Sequence, residues 1–367
     1  MPEYVMSLAT AAVILSAIFV PREIKNKAVI ACACAALPEG GRAYIREALF
    51  NLPETDVISE SAGLSAQRQT EISDERSGDA AETPKDILKL MEDAKKSSAD
   101  DKKDGSIKPW TYGKSSATSI FGNVLVRNAT DTKAINIEKV LKEGTDLKIK
   151  DKSKPSVLIY HTHTTEGFEL LDRDWYAADK SSRTADSSRN IVRVGKEIAK
   201  ELEAAGFNVI HDETVHDLKY SGAYDRSRET VRKHLEKHPE IQVTIDVHRD
   251  AIQENDGTKI KPISEIGGKK SAQVMIITGA QEGTVKDFQN WESNLRFALG
   301  LQKSCEDMSP GLMRPVFFCQ RKYNMDMTKY SLLVEVGSEA NTLEEAAYAG
   351  RLFGRGLAAL LEKHVSA

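Results

Sequence analysis

"SVLIYHTHTTEGF", residues 156–168, is the stretch from which the rest of the chain is read. Four residues of buried-strand character, Val157, Leu158, Ile159 and Tyr160, run straight into His161 and His163, with Glu166 close behind. One imidazole at a strand end is common. Two beside a carboxylate suggest that something is held there.

Outward from this strand the pattern is regular. "DSSRNIVRVGKEIAKELEAAGF" follows, with Ile191, Val194, Ile198 and Leu202 at three- and four-residue steps, an amphipathic helix closed by Gly206. Strand "NVIHDE", helix "YDRSRETVRKHLEKHPE" and strand "IQVTIDVHRD" come next. After them stand "SAQVMIITGA", helix "NWESNLRFALGLQKSCED", strands "PVFFCQ" and "SLLVEVGS", and helix "TLEEAAYAGRLFGRGLAALLEKH". Such alternation predicts an α/β fold, a twisted, largely parallel sheet with helices on both faces. In such sheets ligands lie beyond the carboxyl ends of the strands.

Three strands finish in ionisable residues: His161 and His163 after the first, His248 after "TIDV", and Glu335 within "SLLVEVGS". Lying side by side, they would converge on one rim. A buried carboxylate without a partner costs several kcal/mol, so Glu335 must meet a metal, a donor or water. Two imidazoles plus an oxygen ligand and an open position is the arrangement of catalytic zinc, and a spare carboxylate beside it serves as general base. Plainer roles compete: only one of His161 and His163 need face the site, His248 fits a hydrogen-bonded core histidine, Glu335 fits an ion pair with Arg249 or Arg314, and Asp186 fits a helix N-cap.

Composition narrows the field. A formal net charge of −4 and 6% aromatics exclude a basic, base-stacking surface, so nucleic acid is not an expected partner. Cys32, Cys34, Cys305 and Cys319 form no zinc-ribbon spacing or disulfide framework. Residues 4–20, "YVMSLATAAVILSAIFV", carry no charge and would span about 26 Å as a helix, slightly short of a bilayer core. They are read as a membrane anchor or uncleaved signal, although the positive charges lie on its carboxyl side. Residues 59–106 are rich in charge, Ser and Ala and read as a polar linker, with "ILKLMEDAKK" as a short helix on it. "SIFGNVLVRNAT" and "TDLKIKD" read as short strands. The expected division is 1–27 anchor, 28–117 juxtamembrane region and mostly disordered linker, 118–154 a small β extension, and 155–367 the catalytic domain.

"VLIYHTHTTEGF", "RNIVRVGKEIAKEL", "YDRSRETVRKHL", "TIDVHRDA", "NWESNLRFALGLQ", "PGLMR", "YNMD" and "LLVEVGSEANTLEEA" together resemble the stage II sporulation protein P family. The resemblance runs from about residue 122 to the carboxyl end. It implies a membrane-anchored, extracytoplasmic cell-wall hydrolase of endospore-forming bacteria, acting on peptidoglycan at the septum during engulfment, with sporulation proteins D and M as partners. The family is in turn distantly similar to zinc N-acetylmuramoyl-L-alanine amidases. Their motifs, laid on this sequence, select His163 over His161 as first ligand to Zn2+, Asp186 as second in place of a Glu, and His248 as third. Glu335, with Gly337 and Asn341, matches their catalytic glutamate strand, and Asn190 matches the helix-opening asparagine after the second ligand. Asn341 and Asn190 are thereby expected to line the substrate, and Arg249 to face the carbonyl oxygen or a stem-peptide carboxylate. The reaction implied is cleavage of the amide between N-acetylmuramic acid and L-alanine, with an added endopeptidase action on cross-links. A zinc peptidase acting mainly on stem peptides, and a non-catalytic wall-binding scaffold with a structural metal, are the alternatives. Glu335 argues against the scaffold, since a structural metal needs no spare base.

Overall fold

The computed structural model describes residues 80–98, 100–131, 135–178, 180 and 182–366. The anchor read at residues 4–20 lies outside them. Among the described residues no helix is long and apolar enough to cross a membrane.

The apolar runs become strands of one eight-stranded sheet. β2 (Ser119–Phe121) and β3 (Val124–Ala129) precede β4 (Pro155–Tyr160), β6 (Asn208–His211), β7 (Val243–Asp250), β10 (Val274–Gly279), β11 (Val316–Cys319) and β12 (Tyr330–Ser338), in the order β2-β3-β11-β10-β12-β7-β4-β6. The sheet is largely parallel, with antiparallel pairings at β2–β3 and β10–β12. β6, β4, β7 and β12 form one parallel block, β10, β11 and β3 another, and the two blocks meet antiparallel at β10 and β12. A second sheet, in the order β5-β1-β8-β9, takes β1 (Gly105–Trp110), β5 (Trp175–Tyr176), β8 (Lys259–Ile266) and β9 (Lys269–Ala272).

The strand pleat sorts the core. Val157, Ile159, Ile245, Val247, Val334 and Val336 pack on one face of the main sheet with residues of α3 (Ile191–Ala204), α5 (Trp291–Met308) and α6 (Leu343–Glu362). Leu158 and Tyr160 point the other way and pack with Val231 of α4 (Ala223–Lys237). Helices α3 and α6 come close enough that a Cβ on Gly354 would stand 3.0 Å from the carbonyl oxygen of Ile198. The glycine is there because nothing larger fits between the two backbones.

Two expectations about organisation change. The strands of the supposed β extension, β2 and β3, are an edge hairpin of the main sheet. "TDLKIKD" forms no strand beyond a single bridge from Ile149 to Val365, while a short helix, α2 (Ile137–Glu143), capped by Asn136, stands just before it. The described part of the polar linker is also folded. It contains α1 (Lys85–Ser97), and Ile87 is fully buried in the main core. Arg351 donates to the carbonyls of Ala80 and Glu82, at 2.8 and 3.1 Å, and Arg193 pairs with Asp86 at 2.9 Å. Composition missed this because the short apolar stripe that docks, Ile87, Leu90 and Met91, is diluted by the charged residues around it.

Beneath that docking site Glu197 is buried between Arg193 and Arg351, the latter at 2.6 Å. Burial opposes ionisation of Glu197, but the two guanidiniums outweigh it and hold the carboxyl below its usual range. A carboxyl lowered on folding contributes stability that is full above its unfolded pKa, about 4.3, and is lost as pH falls toward the folded value. Urea unfolding from pH 7 to pH 3 should therefore show a flat plateau, then a decline below about pH 4.3. Glu197→Gln should lower the plateau by about 3–5 kcal/mol and shrink the acid decline.

Candidate functional site

β4, β7 and β12 are neighbours, so the three strand ends singled out in the sequence do share one rim. Glu335 on β12 and His248 on β7 are direct register partners. The chain leaves β4 at Tyr160 and enters a turn, which separates the fates of the two histidines. His161 packs toward α3: its Nδ1 lies 2.9 Å from the carbonyl oxygen of Val247, and its Nε2 lies 2.9 Å from Nε2 of His211. Gly195 of α3 leaves room for it, since a Cβ there would stand 2.6 Å from the ring. His163 swings to the rim, its ring centroid 5.3 Å from that of His248 in an edge-to-face arrangement.

Glu166, one turn further on, completes the group. Its Oε2 lies 3.5 Å from His248 Nδ1 and accepts a 3.0 Å hydrogen bond from the backbone N–H of Arg249, and Arg183 stands 3.6 Å from its other oxygen. Burial opposes its ionisation, but His248, Arg249 and His163 outweigh it and hold the carboxyl well below the usual range. Burial likewise presses His248 toward neutrality, while Asp246 and Glu166 raise it well above the ordinary histidine value. Asp246 Oδ1 is 2.9 Å from His248 Nε2, although out of hydrogen-bonding alignment, and the same carboxylate accepts from the backbone and hydroxyl of Thr162. His163 is pushed down to about 3 by burial, and its Nδ1 is sealed from solvent without a hydrogen bond. Glu335 is in the same state: Oε2 has no partner, and burial, then the charge of Asp250, raise its carboxyl to about 8.

Aromatic rings complete the walls. Tyr220 stacks on His163 at 4.6 Å, and Tyr224, in the first turn of α4, lies parallel to His248 at 6.4 Å and edge-on to His163 at 5.6 Å. Tyr323 stacks on Tyr224 at 5.3 Å. Burial, then Asp246, Tyr323, Glu335 and Glu166, push the Tyr224 hydroxyl well above its usual range.

The remaining residues named from the sequence are placed elsewhere. Asp186 is exposed, its carboxylate accepting from the backbone and hydroxyl of Ser188. Asn190 caps α3, accepting from the Val192 N–H and donating to the Thr184 carbonyl. Asn341 is buried and ties the Ser338 N–H to the Pro262 carbonyl and Glu345. Arg249 donates to the carbonyls of Gly167, Ser182 and Asp250, so its guanidinium braces backbone rather than facing a substrate. Arg314 pairs with Asp250, not Glu335, at 2.9 Å. Sequence reasoning passed over Glu166 as a ligand, although it stands in the stretch that raised the question, and it had no signal for Tyr224, which reaches the rim only through the packing of α4.

Residues 48–358 match the family described as stage II sporulation protein P. The chain belongs to that family. A curated relative, stage II sporulation protein P of Bacillus subtilis (strain 168), is 32% identical over 204 residues, covering 52% of this chain and 47% of that protein. The match thus spans about half the length of the curated relative. Among solved structures, N-acetylmuramoyl-L-alanine amidase AmiC2 of Nostoc punctiforme is 14% identical over 58% of this chain and 99% of that one, with a TM-score of 0.35. The CwlD amidase from Clostridioides difficile in complex with the GerS lipoprotein is 13% identical over 57% and 99%, with a TM-score of 0.36.

Among the described residues no three His, Cys, Asp or Glu side chains are already drawn together as a metal cage. Part of the donor chemistry suits a divalent cation: His163 offers a neutral imidazole whose buried Nδ1 has no hydrogen bond among the described residues, and the ionised Glu166 stands near. His248, which Asp246 and Glu166 favour in its protonated form, would have to release a proton to join them.

The bracing role of Arg249 is separable from chemistry. Arg249→Lys removes the planar fork and should cost about 1.5–3 kcal/mol of stability, read from the urea midpoint. A full-stability variant with lost activity would instead place the guanidinium on substrate.

Proposed function

We propose that this chain is a zinc-dependent peptidoglycan hydrolase of sporulation, cutting the amide between N-acetylmuramic acid and the L-alanine of the stem peptide as septal wall is remodelled. One observation carries the reading: His163 and His248 stand together beside Glu166, with the partnerless carboxylate of Glu335 in register on the next strand. Membership of the sporulation family supplies the context in which such a group would meet murein. The same reading puts the domain on the wall side of a membrane, with sporulation proteins D and M as partners.

His163, Glu166 and His248 would hold the ion, Glu166 taking the part that the family resemblance implied for Asp186. Zinc bound there would supply Lewis acidity to the scissile carbonyl and acidify a nearby water. Glu335 then has the role its position suits. Its ionised form, favoured by a cation held beside it, takes a proton from the attacking water and delivers it to the departing nitrogen as the C–N bond breaks. Asp246, buried against His248, holds that ring in place, as a carboxylate behind a ligand imidazole does.

Purified wall digests should contain free glycan strands and intact stem peptides, separated by chromatography and identified by mass. His248→Ala and Glu166→Gln should each abolish this release and lower zinc affinity by at least about 100-fold. Glu335→Gln should abolish release with zinc retained, and Asp186→Asn should change neither. A Glu335→Gln protein with near-normal turnover would remove the general-base role, and shortened peptides in place of free strands would make the enzyme a peptidase.

A further inference from the structure

An amide cleaved by water develops negative charge on its carbonyl oxygen, and this site is crowded with acceptors. Glu166, Asp246, Asp250 and Glu335 all stand within its electrostatic reach. Even with a cation taking part of it, that charge would form among four carboxyls, where a hydrogen-bond donor lowers its energy. The cations close by are already engaged: Arg249 on backbone carbonyls, Arg314 on Asp250, and Arg183 on Asp217 and Thr165.

Tyr224 is different. Its ring touches both imidazoles, while its hydroxyl makes no hydrogen bond among the described residues and has Asp246, Glu335 and Glu166 as its charged neighbours. The ring is also held firmly. Its backbone carbonyl accepts from Asn324 Nδ2 at 3.0 Å, and Tyr323 stacks on its ring at 5.3 Å. Tyr323 and Asn324 have φ of 43° and 58°, two consecutive non-glycine residues in the left-handed region. Such a conformation costs energy and persists only where surrounding contacts enforce it. Arg228 enforces it here, bonding Asp326 through both arms at 2.8 Å and Asn324 at 3.2 Å. A strained turn is thus maintained with one ring pressed against Tyr224.

We infer that Tyr224 is a catalytic residue whose hydroxyl donates a hydrogen bond to the carbonyl oxygen of the scissile amide as it becomes an oxyanion. This rests on the hydrolase reading above. Water oxygen adds to the carbonyl carbon, the π electrons move to the carbonyl oxygen, and the proton of the water goes to Glu335. Tyr224 keeps its own proton throughout and only shares it with the oxyanion. When the carbonyl reforms, the C–N bond breaks, and Glu335 returns the proton to the leaving nitrogen.

Tyr224→Phe in the full chain keeps the ring and its stacking and removes the donor alone. Loss of one oxyanion donor lowers kcat by about 10²–10³, with KM little changed. Zinc content and urea midpoint should match wild type, and a phosphinic isostere of the muramyl peptide should bind more weakly by a comparable factor while the released stem peptide binds as to wild type. A Phe variant that turns over within a few-fold of wild type overturns the assignment, as does one that loses zinc, since the hydroxyl would then be serving the metal site. A wild-type protein that releases nothing from murein brings down the hydrolase reading and this inference with it, whereas an active wild type with an unimpaired Phe variant brings down this inference alone.

Discussion

A carboxylate sealed from water must be surrounded by donors, and the rim of this sheet is organised by that requirement at Glu166. The backbone of Arg249, the ring of His248 and the guanidinium of Arg183 all converge on it. They come from the end of β7 and from the loop before α3, so a single buried charge joins two connections far apart in the chain. His248 is in turn gripped from behind by Asp246, which also fixes the Thr162 backbone at the start of the turn that carries His163. Breaking any one of these contacts would leave an uncompensated charge in a low-dielectric interior, which is far costlier than losing a surface ion pair.

The strands that build the rim were readable because each is an uninterrupted apolar run ending in a polar residue, the pattern of a strand covered on both faces. Their adjacency was an assumption that the fold supports for β4, β7 and β12. The direction of β10 was not readable. A buried strand has the same composition whichever way it runs, and only the connection through β8 and β9 reverses it. Likewise α2 and α1 carry only one short apolar stripe each, Ile137, Val140 and Leu141 on one and Ile87, Leu90 and Met91 on the other, so where they dock depends on distant elements.

At the site, which side chains gather was legible in part and their geometry was not. His248 and Glu335 follow from residue type and position on a strand, whereas His163, in the turn after β4, was preferred over His161 only through the family resemblance. Asp186 was implied by the family's motif, but in this chain Asn190 serves as helix cap and the residue four before it turns onto Ser188 in solvent. Arg249 sits beside a candidate ligand in sequence, yet the pleat sends its side chain to the backbone of another loop. Tyr224 could not have been found from periodicity, since its place depends on where α4 begins and on a strained turn a hundred residues away.

The main sheet carries its working groups and its incoming chain on different sides. Arg351 and Arg193 anchor residues 80–86 to the helices α6 and α3, whereas His248, Glu335 and Tyr224 belong to the side covered by α4. Residues 80–86 therefore load the face of the sheet opposite the one that carries the rim, so the two regions share no side chains and a change at either can be made without touching the other.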